Sequence, residues 1–214
     1  MSSALFAIAW GVLGAALGWF VRWGSVRLAR WEELTPGRTS WQVFGPPVLA
    51  AAIFFAFALH FGPGVPLYIR SVFVLVLVQV IFFDFEHRLI LDRVMFPAMG
   101  LALFVSVFNH PWWAGLVAGI AAGLLFIVLA LAGSAIFKAE ALGFGDVKLA
   151  IFMGLLLGPL PTIQALFYGV LLAGVVAIGI IVWHRSMKGT LAYGPYLAAG
   201  AVIMLFQIPA TGPA

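Results

Sequence analysis

The sequence predicts an all-α, polytopic membrane protein of about eight transmembrane helices, and three observations carry that expectation. Of the 214 residues, 64% are hydrophobic and only 8% charged, with a mean hydropathy of +1.16. A soluble domain carries roughly a quarter charged residues, so lipid must be the solvent for most of this surface. The apolar residues gather in eight runs divided by short polar or turn-rich segments. The charges fall almost entirely on one side of that eight-run arrangement.

The runs span about 4–21, 44–61, 65–83, 94–108, 112–137, 149–160, 162–183 and 191–208. A helix crosses the hydrocarbon core with ~20 apolar residues, and ~17 can suffice. The first run has no basic region before it and is followed by Arg22, Arg27 and Arg30, which predicts a retained anchor rather than a cleaved signal. Turn residues close the second, fourth and sixth runs: Gly62-Pro63-Gly64, Asn109-His110-Pro111 and Gly158-Pro159-Leu160-Pro161. Gly14 and Gly18 on the first helix, and Gly115, Gly119 and Gly123 on the fifth, recur at every fourth position, a spacing that lets helix backbones approach in lipid. Trp112, Trp113 and Trp183 fall at predicted interfaces. The fourth and sixth runs are short and their boundaries the least sharply marked. Without repeats or linkers, residues 1–214 read as one domain.

With the N-terminus outside, the inside loops are 22–43, 84–93, 138–148 and 184–190. They hold Arg22, Arg27, Arg30, Arg38, Arg88, Arg93, Lys138, Lys148, Arg185 and Lys188, leaving only Arg70 outside. The positive-inside rule assigns that side to the cytoplasm, hence a multi-pass protein of the inner (cytoplasmic) membrane. The net charge of +4 is thus a topological signature and no sign of a nucleic-acid partner. All seven acids, Glu32, Glu33, Asp84, Glu86, Asp92, Glu140 and Asp146, share the same side. Asp and Glu contribute little to topology, so chemistry is the expected reason beyond neutralisation of nearby cations.

Several chemistries are excluded. The chain has no cysteine, which removes disulfides, zinc knuckles, iron–sulfur clusters and thiol nucleophiles. No His-Glu-x-x-His stretch occurs, and His60, His87, His110 and His184 are scattered over both faces, so no metal site or other cofactor is expected. No serine combines a glycine-rich setting with a histidine at matching depth, and no Gly-Lys-Ser/Thr phosphate loop is present.

Carboxylates remain. Asp84 ends the nearly unbroken apolar run from Ser71 to Phe83, and Asp146 stands in Glu140-Ala141-Leu142-Gly143-Phe144-Gly145-Asp146-Val147-Lys148, directly before the sixth run. Both stand where helix meets cytoplasm, partly out of water. Two carboxylates brought close there cannot both ionise. The ionised member can take a proton from a water attacking a peptide carbonyl, and the protonated member can donate to the carbonyl oxygen and then the leaving amine. Gly143 and Gly145 are expected to allow unusual dihedrals and let substrate backbone approach Asp146. Asp92 is expected to cap the fourth helix. Glu86, His87 and Arg88 are expected to form a solvated loop face.

These residues resemble the type IV prepilin peptidases, leader peptidases of the Gly-x-Gly-Asp aspartic type. That family has an Asp closing one helix and a second Asp or Asn eight residues later, as Asp84 and Asp92 do. It then has a glutamate, two glycines around a variable residue, and Asp-Val-Lys, matched by Glu140, Gly143, Gly145, Asp146, Val147 and Lys148. Tyr193-Gly194-Pro195-Tyr196-Leu197 is similar to the start of the family's last helix. The resemblance covers roughly 65–208. It implies an eight-helix membrane endopeptidase, with Asp84 and Asp146 as the cytoplasm-facing catalytic pair. Its substrates would be prepilin or pseudopilin precursors, which lose a short basic leader; Glu86, Asp92 and Glu140 are the acids expected to attract it. Leu91 stands where the family usually has proline. Larger members carry a cysteine-bearing zinc loop between the first two helices and also methylate the product; here that loop is only about 22–43 and cysteine-free, so the resemblance does not extend to N-methylation. Three rival readings are a small proton-coupled transporter using the same two aspartates, a presenilin-type protease and a non-catalytic assembly factor. The transporter would favour mid-membrane acids and internal repeats, neither of which is seen.

Overall fold

The computed structural model describes residues 3–108, 111–137, 142–184 and 192–208, and every regular element among them is helical. Eight helices follow one another: α1 Ser3–Trp31, α2 Ser40–Phe61, α3 Val65–His87, α4 Asp92–Val107, α5 Ala114–Phe137, α6 Phe144–Leu157, α7 Pro159–His184 and α8 Gly194–Gln207. Five of them, α1, α2, α3, α5 and α7, are long and apolar enough to cross a membrane. The predicted all-helical membrane class is therefore the observed one. The chain divides into two compact units, Met1–Arg88 and Leu89–Ala214.

In the first unit, α1 packs on α2, and both pack on α3. The predicted small-residue face of α1 is used: a Cβ at Gly18 would come within 2.6 Å of the Pro47 Cα on α2. Phe54, Phe57, Phe73 and Leu77 fill the interior. Two polar links cross it. The Trp10 indole N–H donates to the Ser71 hydroxyl at 3.1 Å, and the Ser25 hydroxyl donates to Gln79 Oε1 at 2.6 Å. Where lipid replaces water as the competitor, such links select which helix faces meet. α1 continues ten residues past its apolar run, to Trp31, so its arginines stand on a helix rather than in a loop.

In the second unit, α6 packs against α4, α5, α7 and α8. This explains how a helix of only 14 residues is so apolar: Leu149, Ala150, Phe152 and Met153 face protein on every side and are fully buried. The Gly119 face of α5 meets Gly154 of α6 so closely that a Cβ on Gly154 would lie 2.5 Å from the Ala118 carbonyl carbon. Backbone cannot retreat from that contact as a side chain can. Gly154→Val is therefore expected to lower the unfolding free energy in detergent by about 2 kcal/mol or more, read by chemical denaturation. At the other end of α6, Gly158 adopts φ 77°, and its N–H closes the helix on the Gly154 carbonyl at 3.0 Å. The predicted four-residue turn at 158–161 is thereby reduced to one residue, with Pro159 already opening α7.

Candidate active site

In the first unit, the last turn of α3 carries one of the two candidate aspartates. Asp84 is buried there, only 5% exposed, and its carbonyl accepts the Arg88 N–H at 2.8 Å. Arg88 takes the left-handed conformation, φ 54° and ψ 40°, which stops the helix one turn beyond the aspartate. Glu86 and His87 belong to this turn and are not the solvated loop face expected from sequence. Their side chains are 6% and 8% exposed. The Glu86 carboxylate accepts Arg22 Nη1 of α1 at 2.9 Å and also the Gly37 backbone N–H, while Arg22 Nη2 donates to the Gly37 carbonyl. Glu86 thus fastens the end of α3 to α1 and to the segment between α1 and α2. The carboxylate proposed from sequence to attract a basic leader thus already has a cationic partner within the fold.

In the second unit, the start of α6 carries the other candidate aspartate. Gly143 is its N-cap, and the Asp146 N–H donates to the Gly143 carbonyl at 3.1 Å. The two glycines differ in purpose, and neither has the unusual dihedrals expected. Gly143 has ordinary extended angles, φ −76° and ψ 149°, and is exposed. Gly145 is helical, and a Cβ on it would lie 2.9 Å from the Ile90 Cβ. Its missing side chain lets the first turn of α6 rest on the residues before α4.

Asp92 is the first residue of α4, with Leu91 at the N-cap position, so the expected side-chain cap is not formed. Its carboxylate pairs instead with Lys148 Nζ. Asp92 is in the favourable place for an anion, a helix N-terminus, and it ties α4 to α6 two residues after Asp146. Sequence spacing aligned Asp92 and Lys148 separately with the family motifs but gave no sign that they meet. Glu140 lies outside the described residues. Among the described residues no cluster of three metal-ligating side chains occurs.

Asp146 precedes the apolar segment of α6, which begins at Leu149. Burial pushes its carboxyl from the ordinary 3.8 up to about 6, against the smaller opposing pull of the Gly143 backbone hydrogen bond. The folded state therefore holds this proton more tightly than the unfolded state. The resulting stabilisation is fully present below about pH 4 and is lost as pH rises through about 6. Thermal melts are expected to show wild type gaining more than Asp146→Asn on acidification from pH 7.5 to 5. Equal gains would mean that Asp146 does not carry the effect.

The fold and these groups define a polytopic helical membrane protein with partly desolvated carboxylates at helix ends. Comparison with known proteins makes the class specific. The profile described as the type IV leader peptidase family matches residues 71–178, and the chain belongs to that family. A Bacillus subtilis (strain 168) protein named prepilin leader peptidase/N-methyltransferase is 29% identical over 170 residues, covering 78% of this chain and 66% of its own length. A protein of the same name from Dichelobacter nodosus is 28% identical over 164 residues, covering 74% of this chain and 56% of its own. The chain thus spans somewhat less than two thirds of these relatives. No solved structure matches it significantly.

Proposed function

We propose that this chain is a membrane aspartic endopeptidase that removes the short basic leader from prepilin or pseudopilin-like precursors, with Asp84 and Asp146 as its catalytic pair. The observation that carries the proposal is the Asp146 carboxyl, half-buried at the opening turn of α6 in the family's Gly-x-Gly-Asp setting and poised to hold a proton near pH 6. Both relatives have prepilin leader peptidase in their names. Both aspartates fall within residues 71–178, the stretch that the family profile matches.

In this mechanism Asp84 accepts a proton from water as its oxygen attacks the scissile carbonyl. Asp146 donates its proton to the carbonyl oxygen, and the tetrahedral adduct collapses as the departing nitrogen takes up a proton. The overall change is consumption of one water and formation of one acid and one amine. Lys148 and Asp92 hold the turn that carries Asp146, and Glu86 holds the turn that carries Asp84. We place the pair on the cytoplasmic face of the inner membrane with the N-terminus outside, because ten of the eleven cations then lie inside.

The test is cleavage of a synthetic prepilin-like peptide by the purified chain in liposomes. A single cut between the basic leader and the hydrophobic segment, absent from both Asp→Asn variants, supports the proposal. Unchanged cutting by the variants would sink the aspartic mechanism.

A further inference from the structure

The first unit contains a cavity of about 400 Å³ that the peptidase chemistry does not use. It opens where the apolar run of α1 ends and α2 begins, and Trp19, Trp23, Arg30, Gly37, Arg38 and Val43 are among its lining residues. Arg22 also lines it but is committed to Glu86 and Gly37. Arg30 and Arg38 are exposed and form no ion pair among the described residues, while Glu32 and Glu33 do not line the cavity. The aromatic wall is continuous with apolar surface: Trp19 is 52% exposed and lies 6.2 Å from the ring of Phe44, itself 57% exposed. Arg27 is stacked over Trp23, 4.2 Å from the ring centroid, adding a third cation beside the rim.

We infer that this cavity binds the headgroup of an anionic phospholipid, its phosphodiester held by Arg30 and Arg38 and its acyl chains lying along the exposed faces of Trp19 and Phe44. Two guanidinium forks suit phosphate oxygens, and tryptophan suits the boundary between headgroup and hydrocarbon. The apolar wall favours a lipid over free phosphate, which would leave it bare. This reading is independent of the peptidase assignment, since none of its residues belongs to the proposed catalytic pair.

The full chain would be purified in detergent, and retention of dioleoyl phosphatidylglycerol against dioleoyl phosphatidylcholine followed by native mass spectrometry. Wild type is expected to retain phosphatidylglycerol preferentially. Arg30→Gln and Arg38→Gln should each weaken retention about fivefold, and Arg→Lys at both positions, which keeps the charge but not the fork, should recover only part of it. Millimolar inorganic phosphate should not displace the lipid. Both arginines are exposed, so the variants should fold, which a circular dichroism melt would verify. Equal retention by wild type and the Arg30→Gln/Arg38→Gln double variant would overturn the site. So would equal retention of the two lipids, and displacement by inorganic phosphate would identify a free-anion site instead.

Discussion

Asp84→Asn and Asp146→Asn are each expected to lower kcat/KM for leader removal by at least a factor of about 100, and by up to about 10⁴. Asn keeps the size and much of the hydrogen bonding of the side chain but can neither accept the proton of the attacking water nor lend one to the departing amine. The loss should therefore appear mainly in kcat, with KM for the precursor peptide little changed. In the proposed mechanism the two carboxyls act as a unit, so the double variant should be barely worse than either single one. A multiplicative loss would instead mean that the two residues act independently. The melts of the Asn variants supply the folding control, and Asp146→Asn should be at least as stable as wild type at neutral pH. There the wild-type carboxyl is obliged to ionise in a partly desolvated place.

The second large effect is structural. Glu86→Ala is expected to destabilise the chain by about 3–5 kcal/mol, because it leaves the Arg22 guanidinium buried without its counter-charge. The Gly37 N–H loses its acceptor in the same step. Removing both charges should hurt less than removing one: Arg22→Met combined with Glu86→Leu should recover at least half of the loss, as buried ion pairs replaced by apolar residues commonly do. Chemical denaturation of the four proteins in one detergent gives the comparison. A Glu86→Ala variant within about 0.5 kcal/mol of wild type would show that the ion pair has no structural role. The single variant should also lose peptidase activity, since Glu86 holds the helical turn on which Asp84 stands.

The positions of the two aspartates on their helices were legible along the chain, because proximity in sequence was enough. The apolar run stopping at Asp84 and the Gly-Phe-Gly-Asp stretch that opens α6 are local patterns, and each was found at a helix end as expected. Partnership between charges was not legible. Glu86 and Arg22 are 64 residues apart and Lys148 and Asp92 are 56 apart, and nothing in either stretch marks the other as its partner. The reading of Glu86 as solvated failed because it sits beside His87 and Arg88, a polar cluster that resembles a loop until the end of α3 is seen packed against Arg22.

What the sequence by itself determined is the solvent and the order of elements. Eight apolar runs, with their arginines and turn residues, set an all-helical membrane chain, because hydropathy and backbone preference accumulate residue by residue. Only the tertiary structure decided how each glycine and each charge is used. Gly145 is required by Ile90 rather than by an unusual dihedral, and Gly154 by the backbone of α5. Asp92 became a partner for Lys148 rather than a cap. The physical reason is common to all of these. Burial and pairing belong to faces that meet, and which faces meet follows from the shapes of whole helices rather than from any one stretch of chain.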